Sequence, residues 1–419
     1  MRLTHAPLFS LLTLTGASLQ DSAGRHTTSR LWATHYNGNV YSLAFNGKSL
    51  SLTDTAKTCG TMPSWLTFDR DTQTVYCSDE AGSADPSTHG SLWAYHAGRD
   101  GSLQQYAKTD TVGGGVNSVI YKNDQGDKYL AIAHYEGSAV STFALPLHDG
   151  DSALQEFHFK LTRPGAVAQQ DSPHPHEVFL DPTGSFVVSP DLGADLLRIY
   201  SIDGESGKLH ECPSVNITFG FGPRHGVFWS DGTSDQKHSR DDQTGHASDS
   251  RQAQAVGKTM MYLANEIGGT VDVFDVTYAR SGCLSFEKIQ TMVPYTNGVM
   301  PKGATPAEIR LIDDTLYVSI RSDQGFAPSD SMVALDRSPR TGTVKFRQKT
   351  PSYGKVPRTV AINRAGDLVA IGDQASSNVA IVRRDRKTGN LGEKIATLQV
   401  GEPGQVGTAE GLSSVIWDE

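Results

Sequence analysis

The 419-residue chain has only four cysteines, at positions 59, 77, 212 and 283, with no CxxC pair and no zinc-type spacing. That excludes a thiol redox motif and a cysteine-based zinc site, and leaves free thiols or any of the three possible pairings open. Long apolar runs are also missing. Beyond the first twenty residues nothing approaches the ~20 residues a membrane-crossing helix needs, so no membrane partner is expected. Basic clusters are absent: 37 Lys and Arg stand against 46 Asp and Glu, for a net charge of −9. A nucleic-acid partner would require a basic face, and none is legible. Helical periodicity is almost nowhere to be found, which leaves strands to carry the fold.

What is present is a globular composition, 37% hydrophobic and 20% charged, with 42 Gly and 19 Pro spread along the chain rather than clustered. Such punctuation suits many short strands joined by turns. The N-terminus reads as a signal peptide over residues 1–18. Arg2 and His5 precede a short apolar stretch at 8–14, and Gly16-Ala17-Ser18 offers small residues for cleavage. Secretion is the expected localisation, and Asn216-Ile217-Thr218 makes Asn216 a candidate glycosylation site. Residues 230–258 are polar and nearly devoid of apolar side chains, so they read as a solvated insertion rather than a metal site built on His238 and His246.

One unit recurs along the chain. Its clearest copy is Pro175-His176-Glu177-Val178-Phe179-Leu180, the turn Asp181-Pro182-Thr183-Gly184, and then Ser185-Phe186-Val187-Val188-Ser189. Pro pre-sets one backbone angle of that turn and Gly accepts a positive one. Lead strands of the same kind start at Pro63, Val116, Pro223, Pro306, Pro357 and Gly411, which makes seven copies. Their spacing of about fifty residues fits a four-stranded propeller blade. The last copy has no further strands after it, and unpaired strands stand at the other end, at 30–35 and 40–43. The sequence therefore predicts an all-β, seven-bladed β-propeller over residues 28–419, closed by pairing of N- and C-terminal strands, because closure removes exposed sheet edges.

Antiparallel strands alternate between the two faces of such a ring. Residues early in each lead strand therefore share a face with residues ending each second strand. The first group supplies Trp65, Asn117, His174, His176, Arg224, His225, Glu308 and Arg358; the second supplies Glu80, His134, Asp191, Glu266, Arg321 and Gln374. Convergent His, Arg and Glu at the mouth of a ring make this face the candidate site. The opposite face receives ordinary turn residues such as Asp69-Arg70-Asp71 and Asn363-Arg364-Ala365-Gly366.

Pro173-His174-Pro175-His176, with Pro190-Asp191-Leu192-Gly193-Ala194-Asp195, Gly222-Pro223-Arg224-His225, Asn265-Glu266, Pro306-Ala307-Glu308-Ile309 and Asp373-Gln374, resembles the lactonase family of seven-bladed propellers. That family includes bacterial 6-phosphogluconolactonase and fungal carboxy-cis,cis-muconate cyclase. The resemblance implies a carboxylic ester hydrolase of 6-phosphogluconolactonase type, with His176, Arg224, Glu266 and Arg321 as the catalytic group. Around it, His174, His225, Glu308, Arg358 and Gln374 are the expected substrate-binding residues. One departure is Ser319-Ile320-Arg321, where the family tends to have Ser-Asn-Arg; the Arg is kept and the Asn is lost.

The residue types fit lactone opening. A carboxylate or imidazole tuned toward neutrality can activate water, so Glu266 or His176 is the candidate base, with no ranking between them from sequence. An Arg can meet the oxyanion or clamp an anionic group. A lactone-forming cyclase would use the same clamp, and a non-catalytic binding propeller would carry a broad apolar rim instead. The expected partner is a small anionic or sugar lactone bound by a monomer, with no metal and no cofactor.

Overall fold

The expected turns set each hairpin. In the computed structural model, which describes residues 28–231, 257–279 and 282–419, Gly184 takes φ +67°. The Asp181 carboxylate accepts the amides of Thr183, Ser185 and Phe186 at 2.8–2.9 Å. Asn363 does the same in its own blade, its Oδ1 accepting the amides of Asp367 and Leu368, and Gly366 takes φ +70°. Both positive angles suit glycine, which has no Cβ to clash.

Seven four-stranded antiparallel sheets form a ring, so the propeller is present as expected. Blade 1 holds residues 29–57 and takes its inner strand, Leu412–Trp417, from the C-terminus; that strand pairs with Ser29–His35. Blades 2 to 7 cover 63–111, 115–158, 175–216, 223–292, 305–351 and 357–399 in chain order. Burial falls from the axis outward. Inner strands such as Pro63–Asp69 and Leu412–Trp417 are wholly buried, whereas outer strands such as Leu50–Lys57 are largely exposed.

Every blade packs both faces against neighbours, which is why its inner and middle strands are buried on both sides rather than alternating. The core divides into seven clusters, one for each junction between adjacent blades. Leu31, Leu43, Ile381, Leu412 and Trp417 join blades 1 and 7, and Ile309, Val318, Val333, Met260 and Val273 join blades 5 and 6. Two disulfides are present: Cys59–Cys77 ties the connection between blades 1 and 2 to the buried second strand of blade 2, and Cys212–Cys283 links the outer parts of blades 4 and 5.

Two features differ from the simple repeat. In blade 4 the lead strand is paired only at Phe179–Leu180, with one isolated bridge between Pro175 and Asp191. The ladder lapses over residues 176–178, where the Val178 amide bonds the Asn117 side chain of blade 3 instead of the neighbouring strand. In blade 5 the chain leaves the first strand at Ser230 and re-enters the second at Thr259, paired across the face opposite the candidate site. The core of the polar insertion (232–256) and the expected signal peptide (1–18) lie outside the described residues.

Candidate active site

The inner strands carry a β-bulge near the same end. Pro223 pairs with Asn265 and His225 with Ala264, which leaves Arg224 as the extra residue. The same irregularity singles out Ser64 in blade 2, Arg358 in blade 7, Val116 in blade 3 and Ser413 in blade 1. In blade 4 it falls at His176-Glu177, and in blade 6 at Ala307-Glu308. A bulge re-aims the side chain of the extra residue. Here it recurs around the ring and puts Arg224, Arg358, His176 and Ser64 at one equivalent position.

A second equivalent position follows each second strand. The amides of Tyr36, Glu80, Tyr135, Leu192, Glu266 and Gln374 each bond the carbonyl just before the corresponding inner strand, and Arg321 pairs with Thr305 at the same register. A third position, one residue past the bulge, holds Trp65, Asn117, Glu177, His225 and Glu308. The polar mouth is assembled from these three positions.

Its outer part is a set of guanidinium–carboxylate contacts. Glu266 takes Arg224 Nε at 2.9 Å on one oxygen and Arg321 Nη2 at 2.5 Å on the other. Arg224 is 1% exposed and donates Nη1 to the Ala307 carbonyl at 2.9 Å. Arg358 lies 3.5 Å from Glu80, whose same oxygen also accepts from Tyr36 Oη at 2.5 Å and Ser64 Oγ at 2.6 Å.

Deeper in, three blades contribute a chain of hydrogen bonds. Glu308 Oε1 is 2.8 Å from His225 Nδ1, and His225 Nε2 is 3.2 Å from His176 Nδ1. Glu177 accepts the Gly226 amide at 2.6 Å and lies 3.6 Å from His225 Nδ1. Arg310 reaches Glu308 at 3.2 Å and Glu177 at 3.9 Å. Trp65 sets its ring edge against His225, and Tyr135 does so against His176.

The electrostatics separate the candidate bases. Burial would raise the Glu266 carboxyl, but Arg321 and Arg224, with Arg358 behind them, outweigh it and hold it below the usual range. Glu266 is therefore a firmly ionised, weak base. Burial, joined by the charges of Arg224 and Arg358, holds His176 well below its ordinary value, and His225 is lowered in the same way. Both rings are neutral at pH 7. Burial pushes Glu177 up to about 8 against the pull of Arg310, and raises Glu308 as well. Arg224 is lowered to about 10, mainly by burial and then by Arg321.

Glu177, His225 and Glu308 bring ligand atoms within 4.8 Å of one another, a donor set a divalent cation could use. The Arg310 guanidinium already stands beside both carboxylates as their counter-ion, and a second positive charge there would be repelled.

Of the residues expected from sequence, the structure gathers His176, Arg224, His225, Glu266, Glu308, Arg321 and Arg358. His174 stands one step away, stacked on Tyr135 at 4.1 Å between centroids and 2.9 Å from Asp171. Gln374 is spent on the ring closure, donating to Thr408 and accepting from the Leu412 amide. Asn216 is exposed at the end of the outer strand Leu209–Asn216. Sequence reasoning missed Glu177, Arg310, Tyr36, Tyr135 and Ser64. Arg310 follows Glu308 by two residues, and that period-2 spacing on one strand face was an available signal.

A seven-bladed ring with a buried His–Arg–Glu mouth is the architecture of a propeller enzyme. The family model for Lactonase, 7-bladed beta-propeller, matches residues 30–408, and the chain belongs to that family, a group of carboxylic ester hydrolases. Among similar proteins, a probable 6-phosphogluconolactonase of Arthroderma benhamiae is 28% identical over 347 residues, 81% of this chain and 78% of that one. A 6-phosphogluconolactonase of Bacillus subtilis is 20% identical over 341 residues, 81% and 85% of the two chains. The fold is shared with a putative 6-phosphogluconolactonase of Bacteroides fragilis (TM-score 0.71, 21% identity, 95% of this chain and 100% of that one). A periplasmic gluconolactonase of Pseudomonas aeruginosa shares it too (TM-score 0.70, 22% identity, 90% and 98%).

Proposed function

We propose that this protein opens a sugar-derived lactone by water attack, with His176 as the general base. The observation that carries this reading is the Glu308–His225–His176 chain, at 2.8 and 3.2 Å, leading to the guanidinium cluster. With Glu308 ionised, it accepts the proton on His225 Nδ1. His225 Nε2 is then the acceptor for the proton on His176 Nδ1, and His176 Nε2 is left with a bare lone pair.

Water adds its oxygen to the lactone carbonyl carbon and gives its proton to His176 Nε2. The negative charge on the carbonyl oxygen is met by Arg224 or Arg321, both oriented by Glu266. Arg224 donates Nη1 to the Ala307 carbonyl, and its buried Nε stands 2.9 Å from Glu266 without a hydrogen bond, so Nε and Nη2 are the nitrogens left for the oxyanion. The intermediate collapses, the ring C–O bond breaks, and His176 returns its proton to the leaving alkoxide. The product is the open hydroxy acid, which loses its carboxyl proton at neutral pH. Glu266 serves as an electrostatic anchor here rather than as the base.

We further propose that the protein is exported and that Asn216 is a glycan acceptor. Two disulfides, which use all four cysteines, support an oxidising compartment, and Asn216 is exposed.

The test is acid release by pH-stat with gluconolactone, 6-phosphogluconolactone and a muconolactone. Turnover of a sugar lactone well above the spontaneous rate is expected. No turnover of any of the three would leave a binding propeller or a lactone-forming cyclase in its place.

A further inference from the structure

We infer that the mouth is built for an uncharged lactone ring, and that Glu80 is the residue that disfavours a phosphorylated one. This rests on the lactonase reading and deepens it. Three guanidiniums line the mouth, Arg224, Arg321 and Arg358, and two carboxylates, Glu266 and Glu80, are paired with them. Three positive charges against two negative leave a surplus of one. Hydrolysis of a neutral lactone develops one negative charge on the carbonyl oxygen, and that surplus matches it.

A phosphate ester brings a further charge of about −1.5 to −2 at pH 7. It would need a second guanidinium with no carboxylate of its own. Arg358 is the one outside the Glu266 pair, and Glu80 sits 3.5 Å from it. Glu80 is held in place, because Tyr36 at 2.5 Å and Ser64 at 2.6 Å both donate to the oxygen that faces Arg358. Swinging Glu80 aside would strand Tyr36 and Ser64, which are themselves partly or wholly buried. A phosphate approaching Arg358 therefore meets a fixed carboxylate, a repulsive element that acts on the charged substrate and leaves the neutral one unaffected. Arg310 is no substitute, since it lies deeper beside Glu308 and Glu177.

The experiment compares kcat/KM for gluconolactone and 6-phosphogluconolactone in the wild type and in Glu80→Gln. The glutamine keeps an oxygen for Tyr36 and Ser64 but loses the charge. The wild type is expected to favour gluconolactone by at least about tenfold, because the fixed carboxylate opposes only the charged lactone. In Glu80→Gln that ratio should shrink or reverse, chiefly through a lower KM for the phosphorylated lactone. A wild type that favours 6-phosphogluconolactone, or a ratio unmoved in Glu80→Gln, overturns the inference while leaving the lactonase reading intact. Failure on both lactones defeats the lactonase reading itself. Should the variant fail to fold, the wild type still decides: inorganic phosphate is expected not to compete with gluconolactone, and tight competitive inhibition by it would overturn the inference.

Discussion

His225 Nε2 lies 3.2 Å from His176 Nδ1, an imidazole pair formed across the junction of blades 4 and 5. The two rings are nine-tenths or more buried, and Glu308 from blade 6 closes the chain at 2.8 Å. Three consecutive blades thus meet in one hydrogen-bonded chain, and the proposed base role of His176 requires that chain to hold its Nε2 unprotonated.

That pair sets an expectation for pH. Burial and Arg224 hold His176 well below its ordinary value, so the base form is fully present at pH 7. The rate should stay flat from neutral pH down through the usual histidine range, and fall only in more acid solution. In Glu308→Gln the tautomer is no longer imposed, and kcat should drop by about 10²-fold or more. A pH–rate profile of both proteins checks this; a wild-type midpoint near 6.5 would contradict it.

Glu177 ties stability to pH. Its carboxyl is pushed up to about 8 from an ordinary value of 4.5, by burial first. Between those values the folded state holds a proton that the unfolded state has released. Stability is therefore greatest below the lower value and is lost as pH rises through the window, by at most about 1.4 kcal/mol per pH unit. Denaturant unfolding of the wild type and Glu177→Gln from pH 5 to 9 should show the slope weakened in the variant.

The disulfides should contribute unequally. They span 18 and 71 residues of sequence, and loop-closure entropy gives about 3 kcal/mol for Cys59–Cys77 and about 4 for Cys212–Cys283. Serine pairs at each site, compared by thermal unfolding, should lower Tm more for the longer loop.

Ring closure should be sensitive to its last large side chain. Trp417 is 6% exposed, packs with Phe45 and Leu31, and donates Nε1 to the Ala361 carbonyl at 3.1 Å, joining blades 1 and 7. Trp417→Ala should cost about 3–5 kcal/mol, measurable as a shift in denaturant midpoint.

The ring was legible because the same lead strand recurs along the chain, and because the Gly411 copy ends without the strands that residues 30–43 supply. The shared face of Arg224, Glu266 and Arg358 was legible from strand direction alone. The alignment within that face was less so. His134 and Asp191 stand one register position before Glu80, Glu266 and Gln374, and the true equivalents of Glu266 are Tyr36, Tyr135 and Arg321. A strand pattern cannot show this, because each inner strand is broken by a bulge at the site and the period of two fails there. Glu177 follows His176 directly, and the irregular pairing there lets both reach the mouth where a regular strand would face them opposite ways.

The central claim is that His176, and not Glu266, removes the proton from water. Initial rates of gluconolactone hydrolysis in His176→Ala and Glu266→Gln, each verified as folded by circular dichroism, test it most directly. The account predicts a loss in kcat of about 10²–10⁴-fold for His176→Ala, and for Glu266→Gln a smaller loss shared with a raised KM. Near wild-type kcat in His176→Ala, or a deeper loss of kcat in Glu266→Gln, would contradict it and make Glu266 the base.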